Sequence, residues 1–551
     1  MSKLCKKKYD YIILGAGAAG CALARKLTDE QGISVLLVEW GLDLRADPVV
    51  INVSSEYGQY GPYRRTKNDF MQEVNTPGVF NSIVNFEAGK GGPGGSTVHY
   101  FGNATRGQTW DFWASQLNDP RWSYNNVLPI MKEIEHYYGT TQIPTERGFN
   151  GILDIHQNQP GSAQNDPLCQ AMAATWEVPV LDDYNGNIPN VAAAMQRLVT
   201  TDANNQPTFR VWGGTFLPYS VLDENGYGTN GRKLRALFST VANKLLFNDP
   251  CDETRTTGVL LNSLKYGDIT VHAKKAVILT AGVYGSAILH RSGIGPASVL
   301  KDIGVVPKIV NENVGAHFTC HYGLCLPFDP NTFPYPSFFD PGSAGVAVTF
   351  DDGSSCAKFN PAVFTPGKRR FERLFAGTGI TEQRLAVSQN VPLNAPTYLV
   401  WNMQSRSEGT VFAVSKDPYI EPQVNFNYYS DGGLEDPASD ISINVAVLKS
   451  MKEFSQAIGS ELLLPPDSAF ASDVELDKWA RLVWHTTNHY MSTLRMGNSP
   501  ADSVCNSSGR VWGTNNVYVA DVGLMPTMTS GHTSVPAFIF GYQIAKFLLK
   551  Q

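Results

Sequence analysis

The sequence predicts an α/β fold (α+β overall) that carries a second, sheet-rich domain, and three features predict it. Residues 9–41, YDYIILGAGAAGCALARKLTDEQGISVLLVEWG, run from an apolar stretch into Gly15-x-Gly17-x-x-Gly20. They then pass through small residues to a second apolar stretch that ends on Glu39. Blocks of related texture recur far along the chain: a glycine-rich run at 89–96, an apolar strand with a small-residue turn and helix at 276–295, and Val517-Tyr-Val-Ala-Asp521. Between them, 155–225 and 320–480 are rich in Pro, Asn, Phe and Tyr.

The first block has the strand–turn–helix–strand order of a dinucleotide-binding unit. Tyr11 to Leu14 forms the strand. Gly15 permits the tight turn, Gly17 lets a pyrophosphate approach the backbone, and Gly20 lets the helix pack close to the sheet. The helix N-terminus offers free N–H groups and a partial positive charge to phosphate. Glu39, at the end of the second strand, is spaced to accept hydrogen bonds from a ribose. This motif alone serves NAD and FAD equally.

Later blocks extend the same domain, which makes it discontinuous. Residues 517–521 read as a strand, and 536–549 as a closing amphipathic helix. Short alternating runs at 410–414 and 423–427 suit antiparallel strands, and 441–457 suits an amphipathic helix lying across their sheet. The expected division is 1–155, 225–318 and 498–551 for the nucleotide-binding domain, with 156–224 and 319–497 forming a cap.

Composition narrows the function classes. The chain has 551 residues, 42% hydrophobic and 17% charged, with a net charge of −6. This describes an ordered protein with no basic surface for nucleic acid. Its eight cysteines include no CxxC, and no Cys/His cluster has zinc spacing, so no metal site is expected. No apolar run reaches membrane-spanning length and no leader precedes the first strand, so a soluble protein, cytoplasmic by default, is expected.

The motifs together resemble the glucose–methanol–choline (GMC) flavoprotein oxidoreductases over nearly the whole chain. GAGAAG with Glu39 resembles the family's N-terminal FAD motif. GGPGGSTVHYFGNATRG, residues 91–107, resembles its first signature, and residues 109–135 resemble the family segment that comes directly after that signature. GSAILHRSGIGP, residues 285–296, resembles its second signature. Here Gly285 stands where Ser or Thr is usual, and Ser286 where Pro is usual. His489-Tyr-Met-Ser-Thr-Leu-Arg-Met-Gly497 is similar to His-Pro-x-Gly-Thr-x-x-Met-Gly, with Tyr490 for Pro and Ser492 for Gly. ADVGLMPTMTSGHTSVP, residues 520–536, is similar to the closing segment, in which His532 takes the position of the second active-site residue. Among the family's branches, the His–His pair with the Ser534-Val-Pro536 after it resembles aryl-alcohol and hydroxymethylfurfural-type oxidases, the branch closest in feel, about as well as it resembles sugar oxidases.

The resemblance implies FAD held by Gly15, Ala16, Gly17 and Gly20 at the pyrophosphate and by Glu39 at the adenosine ribose. It places Gly94, Gly95 and Ser96 along the pyrophosphate and ribityl chain, Val241 at adenine through its main chain, and Asp521 near the ribityl or phosphate region. It implies oxidation of a small-molecule alcohol by hydride transfer to flavin N5. His489 would be the base and His532 the partner of the developing alkoxide, with O2 or another electron acceptor completing the cycle, O2 giving H2O2. His99 stands where some relatives bond histidine covalently to the flavin, which leaves a covalent link and simple packing both open. Two other classes remain: a redox-neutral hydroxynitrile lyase, and a structural or assembly protein reusing the FAD fold. Among the remaining histidines, His485 would share a helix face with His489 and reads as structural. His321, His290 and His272 have no motif context and read as ordinary buried or exposed residues.

Overall fold

The structure, a computed structural model, describes residues 8–52, 92–99, 104, 106, 109–157, 164, 166–183, 185, 191–194, 196–204, 207–335, 346–352, 369–378, 391–392 and 394–550. Its first strand, β1 (Lys8–Leu14), is buried on both faces from Tyr11 to Leu14. It feeds the helix α1 (Ala18–Asp29) and then β2 (Val35–Val38), which is wholly buried. Such unbroken apolar runs suit parallel strands covered on both sides. β2 pairs in parallel with β1 and with β3 (Leu234–Leu237). On its other edge, β1 pairs in parallel with the C-terminal half of a long strand. To number that strand in order, β4 (Thr240–Leu246) and β5 (Gly258–Ser263) come first, and the long strand is β6 (Gly267–Leu279). β5 and β4 continue the sheet as antiparallel strands, and Val517–Val519 lies in parallel beside the end of β6. A short turn then leads from β6 into helix α2 (Gly285–Arg291).

A second sheet builds the cap. Its core strands are β7 (Thr319–Pro327) and β8 (Pro396–Asn402), paired antiparallel. Helix α3 (Asp440–Ala457) lies across it, with Ile441, Leu448, Met451 and Phe454 in one core with Leu324, Phe328, Tyr398 and Val400. The Ser439 side chain accepts a hydrogen bond from the Ser442 N–H, capping the helix start. Strand β9 (His485–Met491) forms one edge, antiparallel to β7. The far edge, Val180–Leu181 against Val191–Ala194, is parallel, so the cap sheet is not wholly antiparallel as expected. Thr410–Phe412 and Gln423–Asn425 do pair antiparallel, but as a separate two-stranded sheet.

The closing helix α4 (Ser534–Leu549) returns to the first domain and crosses α1. A Cβ on Gly541 would lie 2.3 Å from the Ala19 carbonyl oxygen, so this crossing requires glycine. Phe540 packs against Trp110, Trp113 and Trp122, which explains the aromatic texture of 109–135.

Packing corrects two expectations. Val211, Phe216, Leu217, Val221 and Leu222, assigned from sequence to the cap, belong to the core around the first sheet. Residues 485–491 form a strand rather than a helix, so periodicity 3.6 does not relate His485 to His489. Among the described residues, no helix is long and apolar enough to cross a membrane.

Candidate active site

The turn after β1 shows why its glycines are needed. Gly15 has φ +113°, and a Cβ there would stand 2.4 Å from the Thr280 carbonyl oxygen at the end of β6. A Cβ on Gly20 would lie 2.0 Å from the Gly15 carbonyl oxygen, so the first turn of α1 closes directly onto the loop. Gly17 differs: nothing crowds its Cβ position closer than 3.8 Å. As N-cap of α1 it offers no side-chain cap, which leaves the first N–H groups of the helix to a ligand.

Two buried carboxylates brace the loops around this turn. Glu39 accepts hydrogen bonds from Ala16 N–H at 2.8 Å and Gly41 N–H at 2.7 Å. Burial pushes its carboxyl above the usual range, while the Gly41, Ala16 and Trp40 N–H groups oppose that rise. An ionised carboxylate accepts about four hydrogen bonds, so capacity remains for ribose hydroxyls. Asp521 accepts from Gly282 N–H at 2.7 Å and Gly523 N–H at 2.8 Å, tying the turn after β6 to the loop after Val517–Val519. Burial raises it to about 6 against those two bonds. The second glycine block closes on the first: Gly94 N–H donates to the Ala16 carbonyl at 2.6 Å.

A continuous cavity of about 1550 Å³, solvent mouth included, joins these parts. Gly15, Gly17, Glu39, Gly94, Gly95, Ser96, Val241 and Asp521 all line it, and so does His489. Ala16 and Gly20 are not among the lining residues. The His99 side chain lies outside the described residues. A bare helix N-terminus, open space at Gly17, a ribose-competent carboxylate and one channel leading on to an imidazole together fit an extended dinucleotide with a redox-active head, as FAD has.

His489 is delivered by the cap. In the ladder between β7 and β9, Cys320 pairs with Tyr490 and Tyr322 with Thr486. One residue of β7, His321, therefore faces Thr487, Asn488 and His489. This bulge re-aims the side chains of β9. Asn488 takes φ +60° within it, and the Thr487 hydroxyl donates to the His321 carbonyl at 2.8 Å. His532 comes from the loop before α4, so its backbone belongs to the first domain. The His489 and His532 ring centroids are 5.0 Å apart, and Trp401 of β8 meets both rings edge-on, at 5.9 Å and 5.0 Å. Both histidines are buried, at 3% and 1% exposure. Burial, followed by His532 and then His321, holds His489 well below the ordinary histidine value.

The other histidines divide differently from the sequence expectation. His290 is structural: Ala413 N–H donates to its Nδ1, its Nε2 bonds the Val314 carbonyl, and burial lowers it to about 4. His321 is not ordinary. Its Nδ1 lies 2.8 Å from Nδ1 of His489, and its Nε2 lies 2.7 Å from the Thr529 carbonyl oxygen. No motif marks it. The signal available was a polar residue inside a strand, Thr319–Pro327, that is buried along its whole length. Phe328 is core, packed against Phe333, Tyr398 and Phe454.

Comparison with known proteins agrees with this geometry. Residues 405–541 match the family profile for GMC oxidoreductase. The chain is 28% identical over 569 residues to oxygen-dependent choline dehydrogenase of Pseudomonas syringae pv. tomato, covering 98% of this chain and 93% of that protein. It is 28% identical over 560 residues to the oxygen-dependent choline dehydrogenase of Yersinia pseudotuberculosis, covering 98% and 93%. Among solved structures, pyridoxine 4-oxidase from Mesorbium loti superposes with a TM-score of 0.79 at 20% identity, covering 99% of this chain and 100% of that one. A fungal aryl-alcohol oxidase superposes with a TM-score of 0.73 at 18% identity, covering 99% of each. With the glycine turns, the two carboxylates and the histidine pair in place, the chain is similar over nearly its whole length to FAD-dependent oxidoreductases, and its residues 405–541 match the model of the GMC oxidoreductase family.

Proposed function

We propose that this protein oxidises a primary or polyol-type alcohol, with His489 as the base for the hydroxyl proton and His532 as hydrogen-bond partner of the developing alkoxide. One observation carries the reading: His489 lines the cavity that begins at the Gly15–Gly20 turn, and His532 stands beside it. FAD, when bound, supplies the hydride acceptor. Gly15, Gly17 and Ala18 would hold its pyrophosphate, Glu39 its adenosine ribose, and Gly94 to Ser96 the chain leading to the flavin.

The chain's own residues supply the remaining chemistry. A general base must be unprotonated at working pH and within reach of the proton it takes. Burial keeps His489 neutral, and the bulge turns it into the cavity. When the alcohol loses its proton, charge develops beside buried side chains, with Trp401 packed on both histidine rings, where a hydrogen bond to alkoxide is strengthened. Relatives described as oxygen-dependent choline dehydrogenase support O2 as the acceptor.

The test is anaerobic mixing of the purified yellow protein with a panel of alcohols that includes choline and benzyl alcohol. Bleaching of the flavin, with peroxide appearing when air is readmitted, is the expected result. Cyanohydrin cleavage without bleaching would instead mark a lyase, and silence across the panel would point to a structural role.

A further inference from the structure

We propose that His321 is a positioning residue that fixes His489 in one tautomer, with its proton on Nδ1 and its lone pair on Nε2. The proposal rests on the reading of His489 as the base.

The argument is one of proton counting along a chain of two hydrogen bonds. The Thr529 carbonyl can only accept, so the 2.7 Å contact requires a proton on Nε2 of His321. A neutral imidazole carries one proton, which leaves Nδ1 of His321 as a bare acceptor. The facing atom, 2.8 Å away, is Nδ1 of His489, and it must then be the donor. Its single proton is spent there, and Nε2 of His489 keeps the lone pair a base needs. The order is Thr529 carbonyl, His321, His489 and finally the alcohol hydroxyl.

The surroundings support a fixed orientation. His321 is fully buried on cap strand β7, the neighbour of edge strand β9, at 0% exposure. Its backbone carbonyl is held by the Thr487 hydroxyl from the same bulge that delivers His489. The two rings stand at 90° with centroids 5.0 Å apart, so each meets the other through a ring edge. When His489 takes the substrate proton, its Nδ1–H bond to His321 becomes charge-assisted, which stabilises the imidazolium. A carboxylate in this place would stabilise that imidazolium more strongly. A neutral imidazole does so without fixing a permanent ion pair in the cap.

The experiment uses the FAD-bound protein with ring-¹⁵N-labelled histidine and long-range ¹H–¹⁵N correlation spectra. The His489 signals are assigned by their loss in His489→Gln, and those of His321 by their loss in His321→Phe. The expected wild-type pattern is a protonated Nδ1 and bare Nε2 on His489, with the opposite pattern on His321. In His321→Phe, the Nδ1–H preference of His489 should disappear. Its limiting rate of anaerobic flavin reduction should fall by about 10- to 1000-fold, bounded by the roughly 10⁴-fold loss that a wrong tautomer causes in a serine protease. Alcohol affinity should change less than about threefold, because a positioning residue acts on the chemical step. His321→Gln, whose amide holds one acceptor and one donor, should recover part of the rate. A wild-type His489 protonated on Nε2, a doubly protonated His321, or wild-type rates in both variants would overturn the proposal. If His321→Phe loses FAD, the wild-type spectrum and the Gln variant decide. Full activity in His489→Gln would sink the base assignment while leaving the tautomer question to the wild-type spectrum.

Discussion

Replacing His489 should separate chemistry from binding. A positioned general base contributes about 10²- to 10⁴-fold, equivalent to roughly 3–5 kcal/mol of barrier at 1.36 kcal/mol per decade. The structure places two substitutions within that range. His489→Ala leaves an imidazole-sized space beside His532, whose ring centroid was 5.0 Å from the lost one. Water in that space can relay the proton, so a loss near the lower end, about 10²- to 10³-fold, is expected. His489→Leu fills the space with apolar atoms and should approach the full 10⁴-fold. FAD content should stay at the wild-type level in both, since the Gly15–Gly20 turn proposed to hold the cofactor is untouched. The pH dependence arises from the same site. Burial, His532 and His321 all disfavour the protonated form of His489, so its conjugate acid titrates well below the ordinary value. The active, neutral form therefore persists as pH falls. The wild-type rate should be level above about pH 6.5, the unperturbed histidine value, and drop only in more acidic solution. The assay is stopped-flow flavin reduction under nitrogen at saturating alcohol. Rates within tenfold of wild type in both variants, or a wild-type rate that halves at or above neutrality, would refute the reasoning.

His532→Asn retains a hydrogen-bond donor and should reduce the same rate far less than His532→Ala, a ranking read directly by the same stopped-flow assay. Gly15→Ala should abolish FAD retention or folding, because its Cβ would stand 2.4 Å from a backbone oxygen at φ +113°; flavin absorbance per purified chain and circular dichroism distinguish the two. Asp521 titrates near 6 in the fold and near 3.8 as a free side chain, so the folded state binds its proton more tightly. Its contribution to stability is complete below pH 3.8 and is lost as pH rises through about 6, roughly 3 kcal/mol in all. Asp521→Asn, which cannot ionise, should flatten that part of the curve of Tm against pH.

The nucleotide half of the site was legible because its requirements are local. A turn at positive φ, an uncapped helix and an acid at the end of the second strand each demand particular residues at short spacing. Gly15, Gly17, Gly20 and Glu39 meet those demands within one strand–turn–helix–strand unit. The helix at 440–457 was legible for a similar reason: an apolar face repeats every turn. The closing helix at 534–549 forms as expected but is buried nearly all round and is not amphipathic. The cap edge was not legible. His489 lies on a strand because β7, far upstream in the chain, pairs with it, a long-range contact that no local periodicity announces. His321 escaped notice for the same reason, since its partner is set by ladder register and not by a motif.

The departure of Ser492 from the family's glycine shows how the structure accommodates a residue the motif disfavours. Ser492 takes φ +65°, the left-handed conformation that explains why glycine is usual there. For an L-residue this costs roughly 1–2 kcal/mol. The hydroxyl offsets part of that cost, because Thr319 Oγ1 donates to it at 3.2 Å from the start of β7, and a buried neutral bond is worth about 1 kcal/mol. The exchange ties the end of β9 to the strand that carries His321. Residue 492 thus adds a side-chain link beside the Thr319–Met491 pair, on one side of the bulge that carries His489. Trp401 supplies the opposing wall, meeting the ring of His489 from the cap and that of His532 from the first domain. His489 lines the cavity and His532 stands beside it, and the cap touches both rings: β9 carries one, and β8, through Trp401, packs against the other.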